Sequence, residues 1–272
     1  MSWRRSINQA VGVARIADIG NYVRSEVPAS ESPIDNFYKI SQDLITVGDP
    51  PFLLAHPTIA SLLIVGIVSA TENYFRDVFG RIIKICPIAK SASSEQSINL
   101  GSVMWHGGLD IERSAFEHIS FADVNNITKT CKNYINYQIS KAATMLEFEK
   151  VCQLRHGIVH SGAIMAGKNA IRLQIPTANG KLKINIGYPQ LQECSNICTT
   201  LVASVNTELF IEMAKRWAIE WPKIPSWEPS KRHFYFKAIW NTFYSVRDAT
   251  NGTIPVAISL IKCRNLILSE YT

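Results

Sequence analysis

The sequence predicts a mainly α-helical protein, a helical bundle with one inserted β-hairpin and a helical C-terminal extension. Over several long segments, apolar residues recur at the three- and four-residue spacing of an amphipathic helix. Prolines and glycines punctuate the intervals between these segments. On both sides of Asn179-Gly180 the period changes to two, which favours paired strands. With 272 residues, 47% of them hydrophobic, the chain suffices for one large domain or one domain with an appendage.

The first 120 residues predict three helices and an irregular insertion. An amphipathic helix is predicted over 3–24 and a second, short helix over 34–47. Residues 58–85 predict a long helix that starts buried and ends amphipathic. Residues 86–120, broken by proline, serines and glycines, predict irregular structure with a short helix at 111–118.

The central segment carries the clearest helix boundaries. Asp123 is a candidate N-cap after Phe121-Ala122, because its short side chain can accept from the free N–H groups of a first turn. A long helix is predicted over 133–161, with apolar residues at helical spacing and charged residues between them. Gly162 is the expected glycine just past its end.

The hairpin and the C-terminal part complete the prediction. The hairpin is expected at about 171–186, followed by a long helix over 190–217 and two further helices near 231–248 and 254–268. The expected division is an N-terminal helical segment, a central helical domain and a basic, aromatic C-terminal extension. These are residues 1–50, 51–217 and 218–272.

Charge and cysteine content indicate the class of partner and the compartment. The net charge of +6 and the pI of about 9.0 suit a polyanionic partner, with ordinary solubilising charge as the alternative. The six cysteines form no C-x-x-C pair and several lie in apolar helical stretches, which is typical of buried thiols in a reducing cytoplasm. The N-terminus lacks the apolar region of a secretory signal.

One apolar segment has a membrane-like composition. Residues 51–71 contain no charged residue. His56-Pro57 interrupt the run and leave about 14 residues before Glu72, whereas a membrane span needs about 20. A buried core helix is therefore predicted, and no stable membrane insertion is expected, with a membrane-associated helical protein as an alternative.

The residues Arg155-His156-Gly157-Ile158-Val159-His160 carry the functional prediction. Five helical residues turn the chain by about 500°, so Arg155 and His160 point about 140° apart and can meet one substrate only at a helix end or in a cleft. His156 and His160, four residues apart, share a face. In metal-free cleavage of RNA, His160 would take the proton of a ribose 2′-hydroxyl, and Arg155 would hold the phosphate. His156 would support as a hydrogen-bond donor.

Arg155-His156-(x)3-His160, late in a long helix of a helical bundle, resembles the R-x4–6-H motif of the HEPN superfamily. The polar residue after the arginine fits that motif, and 69–77 resembles an early HEPN helix. The resemblance covers roughly 55–217. It implies a metal-independent endoribonuclease that leaves a 2′,3′-cyclic phosphate and needs no cofactor. It further implies a homodimer in which Arg155 and His160 of each protomer line one composite cleft.

The resulting expectation is a cytoplasmic RNA-cleaving effector of a toxin–antitoxin, abortive-infection or antiviral defence system. An inhibitor or antitoxin protein is a possible partner. The alternative is a non-catalytic HEPN-like helical module that binds RNA or a protein partner, since fold does not determine function.

Competing interpretations of the motif remain open. Arg155 can instead pair with Glu147 or Glu149 on a solvated helix face. Cys152, His156 and His160, spaced by four, suggest a zinc site, but no fourth ligand is evident and no metal is predicted. Glu72 is a weaker candidate for orienting Arg155 or His160, with a buried structural carboxylate as the alternative.

A second candidate surface lies in the basic, aromatic stretch 215–240. Basic residues interleaved with aromatic rings suit single-stranded nucleic acid. The alternative is that the aromatic side chains pack this segment onto the bundle or onto a partner. The candidate RNA contacts are Lys215, Arg216, Lys231 and Arg232.

Overall fold

The computed structural model describes residues 14–24, 31–106, 111–176 and 180–271. The chain divides into a small unit, residues 1–30, and a large unit, residues 31–272. Within 14–24 the only helical turn is a 3-10 turn at Ile19–Tyr22, capped by the Asp18 carboxylate. The amphipathic helix predicted over 3–24 is therefore absent from 14–24, and residues 1–13 lie outside the described residues.

The large unit is a bundle of α-helices, and 72% of the structure is helical. No described residue belongs to a regular β-strand. This confirms the mainly α prediction. In chain order the α-helices are α1 (Pro33–Thr46), α2 (Pro50–Ala55), α3 (Pro57–Ile85), α4 (Pro87–Ser93), α5 (Leu100–His106), α6 (Ile111–Ser114), α7 (Val124–Thr130), α8 (Ala142–His160), α9 (Gly167–Arg172), α10 (Tyr188–Lys215), α11 (Arg232–Phe243), α12 (Val246–Thr250) and α13 (Leu260–Tyr271).

Local signals explain where several helices begin. Proline occupies the first turn of α1, α2, α3 and α4, where its missing N–H costs no hydrogen bond. Ser32 and Asp49 precede α1 and α2, and each side chain accepts from a backbone N–H of the first turn. The predicted cap Asp123 is confirmed, since its carboxylate accepts from the Asn125 N–H at 2.8 Å.

Helix α3 is the centre of the bundle, and α1, α8 and α10 all pack against it. Its apolar residues cover most of its circumference, so most of its length is buried. Among the described helices, α3 and the helical segment 188–223 are long and apolar enough to cross a membrane. About half of each apolar window is buried inside the protein, and core helices of soluble proteins pass the same test, so this is weak evidence for a membrane span.

The helix predicted over 133–161 begins later than expected. The chain instead continues α7 through a π-helical turn, Cys131–Ile135, and then breaks at Asn136, which has a left-handed φ of 55°. The guanidinium of Arg216 donates to the exposed carbonyls of Ile135 (2.7 Å) and Asn136 (2.8 Å). The break is thus fixed by a residue 80 positions away in sequence.

Arg216 therefore supports a structural prediction. Its side chain is 4% exposed and also pairs with Glu212 at 2.6 Å. We expect Arg216→Met to lower the free energy of unfolding by about 3–5 kcal/mol, because Glu212 and two carbonyls lose their partner. Thermal or urea unfolding followed by circular dichroism measures this, and a change below about 1 kcal/mol would contradict it.

The hairpin predicted at 171–186 is not found in the described residues. Residues up to Arg172 belong to α9, and residues 177–179 of the predicted turn lie outside the described residues. The second half keeps the predicted alternation, with Lys181 and Lys183 exposed and Ile184 buried. Its partner differs: an isolated antiparallel bridge joins Lys183 to Ile164.

The insertion 86–120 and the C-terminal extension belong to the same compact unit as the bundle. The described residues of the insertion 86–120 form three short helices rather than one, and its Phe116 packs with Phe121 and the α3 residue Phe79. In the C-terminal extension, α11 packs on α3 and α10. The large unit, residues 31–272, extends across the positions 50 and 217.

Candidate active site

Helix α8 carries the three predicted catalytic residues, with Arg155 on the core side, because it follows the buried Val151 by four positions and the buried Cys152 by three. Its buried face packs against α3 and α10 and includes Met145, Phe148, Val151, Cys152, Gln153 and Gly157. Arg155 is half-buried, whereas His156 and His160 are exposed. The last two turns of the helix therefore present one partly enclosed cation and two accessible imidazoles.

His156 and His160 lie against each other on one face of α8. Their ring centroids are 4.7 Å apart, with 47° between the ring planes. The pair sits in the final turns of the helix, where the carbonyl end of the helix dipole favours positive charge. Adjacent imidazole rings can serve as one proton acceptor and one proton donor.

The chain reverses direction directly after His160. Gly162 has a φ of +58°, as predicted for the glycine that ends the helix, and Ala163 follows at +63°. The N–H groups of Ser161 and Ala163 both donate to the Gly157 carbonyl, at 3.2 Å and 3.1 Å. The final turn that carries His160 is thus closed by backbone hydrogen bonds.

An extended segment, residues 181–187, packs against this end of α8. The Met165 N–H donates to the Leu182 carbonyl at 2.8 Å, and the Ile184 N–H donates to the Ala163 carbonyl at 2.7 Å. Ile184 is buried against Gly157, where an added Cβ would lie 2.6 Å from the Ile184 Cδ1. Glycine at 157 permits this close approach between the motif helix and the extended segment.

The contact between Gly157 and Ile184 predicts that Gly157→Ala lowers the free energy of unfolding in the wild-type protein and raises it when Ile184 is shortened. We expect Gly157→Ala alone to destabilise the protein by about 1–2 kcal/mol, because its methyl group overpacks against Ile184. Ile184→Val removes the Cδ1 methyl. In that background, Gly157→Ala should stabilise by up to about 1 kcal/mol, since alanine favours the helix more than glycine. Urea unfolding of the four proteins checks this, and additive effects would refute it.

Arg155 has no acidic partner in the described parts of the chain. Its Nε is buried and makes no hydrogen bond. The two carboxylates that compete for it are engaged elsewhere: Glu147 binds Lys150 at 2.7 Å, and Glu149 accepts from Gln153 at 2.5 Å. The interpretation of Arg155 as one half of a surface ion pair with Glu147 or Glu149 is therefore wrong.

Glu72 serves a structural role in α3. One carboxylate oxygen accepts from the Ser120 hydroxyl at 3.0 Å and the Ala122 N–H at 3.1 Å, and lies 3.5 Å from Arg76. These bonds hold residues 120–122 against α3 just before α7 begins. The orienting role considered for Glu72 is thus replaced by the alternative of a buried structural carboxylate.

The zinc interpretation of Cys152, His156 and His160 is not supported. Cys152 is buried on the core side of α8, and burial raises the pKa of its thiol well above the usual range. A thiol must be deprotonated to bind zinc. The described residues contain no group of three or more His, Cys, Asp or Glu side chains arranged to hold a metal.

The basic, aromatic stretch 215–240 mainly packs the C-terminal helices onto the bundle. Trp217 and Trp221 are buried, and the Arg232 guanidinium lies over the Trp217 ring at 5.3 Å. Arg216 is buried, so its assignment as an RNA contact is wrong. Lys231 binds Glu228 at 2.8 Å, and Lys215 is exposed. The packing alternative thus describes most of this stretch.

A charge asymmetry around the motif was missed in the sequence prediction. Residues 150–192 contain six Lys and Arg residues and no Asp or Glu, and the whole chain has 28 and 22, respectively. The rest of the chain therefore carries 22 of each, and the formal net charge of +6 falls entirely within this span. The six are Lys150, Arg155, Lys168, Arg172, Lys181 and Lys183.

Comparison with known proteins identified no relative of this chain. No family model matches the chain, and neither a curated protein nor a solved structure matches it.

Proposed function

We propose that the protein is a metal-independent endoribonuclease of HEPN type, with its active site at the C-terminal end of α8. The observation that carries the proposal is Arg155. A half-buried arginine with a buried, unpartnered Nε destabilises the folded protein, and no carboxylate in the described residues pairs with it. An anionic ligand that supplies the missing charge explains it, and two accessible imidazoles follow it in the last turns of the same helix.

The proposed chemistry uses the RNA strand's own nucleophile. One imidazole of the pair, His160, accepts the proton of a ribose 2′-hydroxyl while that oxygen attacks the adjacent phosphorus. His156, in its protonated form, donates a proton to the departing 5′-oxygen. Arg155 binds the non-bridging oxygens and stabilises the charge that grows on them in the transition state. The products are a 2′,3′-cyclic phosphate and a 5′-hydroxyl end.

The HEPN resemblance supplies the remaining parts of the proposal. As a homodimer, two protomers would bring Arg155 and His160 of both chains into one cleft. This would overcome the divergence of about 140° between positions 155 and 160 on one helix. The cellular role that fits is a cytoplasmic toxin or defence effector, restrained by an inhibitor or antitoxin protein.

The proposal is tested by incubating the protein with total tRNA and a structured RNA in the presence of EDTA. Cleavage that leaves 2′,3′-cyclic phosphate and 5′-hydroxyl ends is the expected result. Cleavage that needs a divalent metal, or that leaves 3′-hydroxyl ends, would contradict the mechanism.

A second candidate function is a non-catalytic module that binds RNA. The concentration of net positive charge in 150–192 favours it as well, because phosphate neutralisation requires no proton transfer. Such a module would bind RNA and leave it intact in the same assay. Expression in bacteria separates the two further: a nuclease should inhibit growth, and Arg155→Ala should relieve the inhibition.

A further inference from the structure

We propose that Lys168, Lys181 and Lys183 form a binding surface for the sugar–phosphate backbone of single-stranded RNA, leading from the end of α8. The proposal rests on the nuclease function only for the identity of the bound strand. The surface itself follows from charge, exposure and the folding of 163–187 against α8.

The three lysines share an environment that leaves their charge uncompensated. Each is exposed, and within the described ranges none forms an ion pair or hydrogen bond through its side chain. The other two cations outside the motif differ, because Lys150 binds Glu147 and Arg172 lies 3.9 Å from Glu149. No acidic residue occurs between Glu149 and Glu193 to neutralise this surface from within the segment.

Backbone contacts place these lysines beside the motif helix. Asn169 donates to the Gln153 carbonyl at 3.5 Å, which holds α9, and with it Lys168, along the middle of α8. Ile184 packs on Gly157 and so holds 181–187 at the end of α8. His160 follows Gln153 by seven positions and Gly157 by three, so it shares the side of α8 that carries these anchor points, whereas Arg155 points roughly opposite. The lysines therefore lie on the side of α8 that carries His160.

The extended segment sets the spacing of two of the cations. Lys181 and Lys183 are exposed while Ile184 and Ile186 are buried, so the odd-numbered side chains share the outer face. Residues two apart in an extended chain are about 7 Å apart. The two ammonium groups are therefore spaced along the segment and do not converge on a single phosphate. A row of this kind suits successive phosphates of a flexible strand, since each ammonium acts as a separate point charge.

The test measures binding without cleavage. All proteins carry His160→Ala, and the probe is a fluorescein-labelled single-stranded RNA of roughly 15 nucleotides, followed by anisotropy across a salt series. The test protein adds Lys181→Glu and Lys183→Glu. The matched control adds Lys39→Glu and Lys262→Glu, two exposed lysines on α1 and α13 that receive the same change of charge.

We expect the test pair to weaken RNA binding by at least about tenfold at low salt, and the control pair to weaken it by less than about threefold. The slope of log affinity against log salt should fall by about 0.7 for each phosphate that the protein no longer neutralises. Equal losses of affinity in both pairs would mean that net charge alone governs binding and would overturn the proposal. Stronger binding to phosphatidylserine vesicles than to RNA would also overturn it.

This result is separable from the nuclease assay. If the wild-type protein cleaves RNA but the Lys181 and Lys183 changes leave affinity unaltered, the binding surface is refuted and the nuclease stands. If those changes weaken binding but the wild-type protein leaves RNA intact, the nuclease is refuted and the surface stands. Circular dichroism of both variants confirms that exposed substitutions leave the fold intact.

Discussion

Replacing His160 with alanine should reduce RNA cleavage by about 10²–10⁴-fold, the range expected when a general acid or base is removed. In the proposed mechanism no other residue can replace His160 as the proton acceptor. His156 lies one turn earlier in α8 and is assigned the opposite proton transfer. The measurement is the rate of cleavage of a labelled RNA under single-turnover conditions with EDTA present, for the wild-type protein and for His160→Ala.

A matched histidine controls for indirect effects. His118 is also exposed, and His118→Ala removes the same ring from a surface outside α8. We expect His118→Ala to cleave at the wild-type rate. Both variants should keep the wild-type unfolding free energy to within about 0.5 kcal/mol, because neither ring is buried. Wild-type activity in His160→Ala would exclude this residue from catalysis.

The parts of the fold that sequence could predict are those governed by local periodicity and caps. The predictions for α1, α3 and α10 match the structure to within a few residues, because their apolar spacing continues over several turns. The start of α8 was missed, because the break at Asn136 is stabilised by Arg216, which directly follows α10. The predicted hairpin is not found in the described residues, because Lys183 pairs with Ile164, a partner that a local turn signal does not identify.

At the candidate site, too, local spacing could be predicted from the sequence, whereas contacts between distant residues could not. The spacing of Arg155, His156 and His160 and the stop at Gly162 could be recognised in the sequence. Whether Arg155 is paired could not, since Glu147 and Glu149 lie at suitable helical spacing and only the structure shows their other partners. The excess of lysines around the motif can be found by counting charges in the sequence. Their placement beside α8 could not be predicted, because it depends on the Gly157–Ile184 contact.

Arg155→Met should uncouple activity from stability. We expect cleavage to fall by about 10²–10³-fold, because the growing charge on the phosphate loses its counter-charge. The unfolding free energy should stay unchanged or increase, because methionine of similar length removes a buried donor that has no acceptor. Stability normally falls when a half-buried side chain is shortened or exchanged, so a gain or no change would indicate that the arginine is kept for its ligand.

Arg216→Met is the matched control for this argument, since it makes the same substitution at a buried arginine whose donors are paired. Arg216 donates to Glu212 and to two backbone carbonyls, whereas Arg155 has no such partners in the described residues. Arg216→Met should therefore lose stability, and Arg155→Met should lose only cleavage. If Arg155→Met instead unfolds as readily as Arg216→Met, Arg155 is a structural residue, and the proposed phosphate site at the end of α8 has no cation of its own.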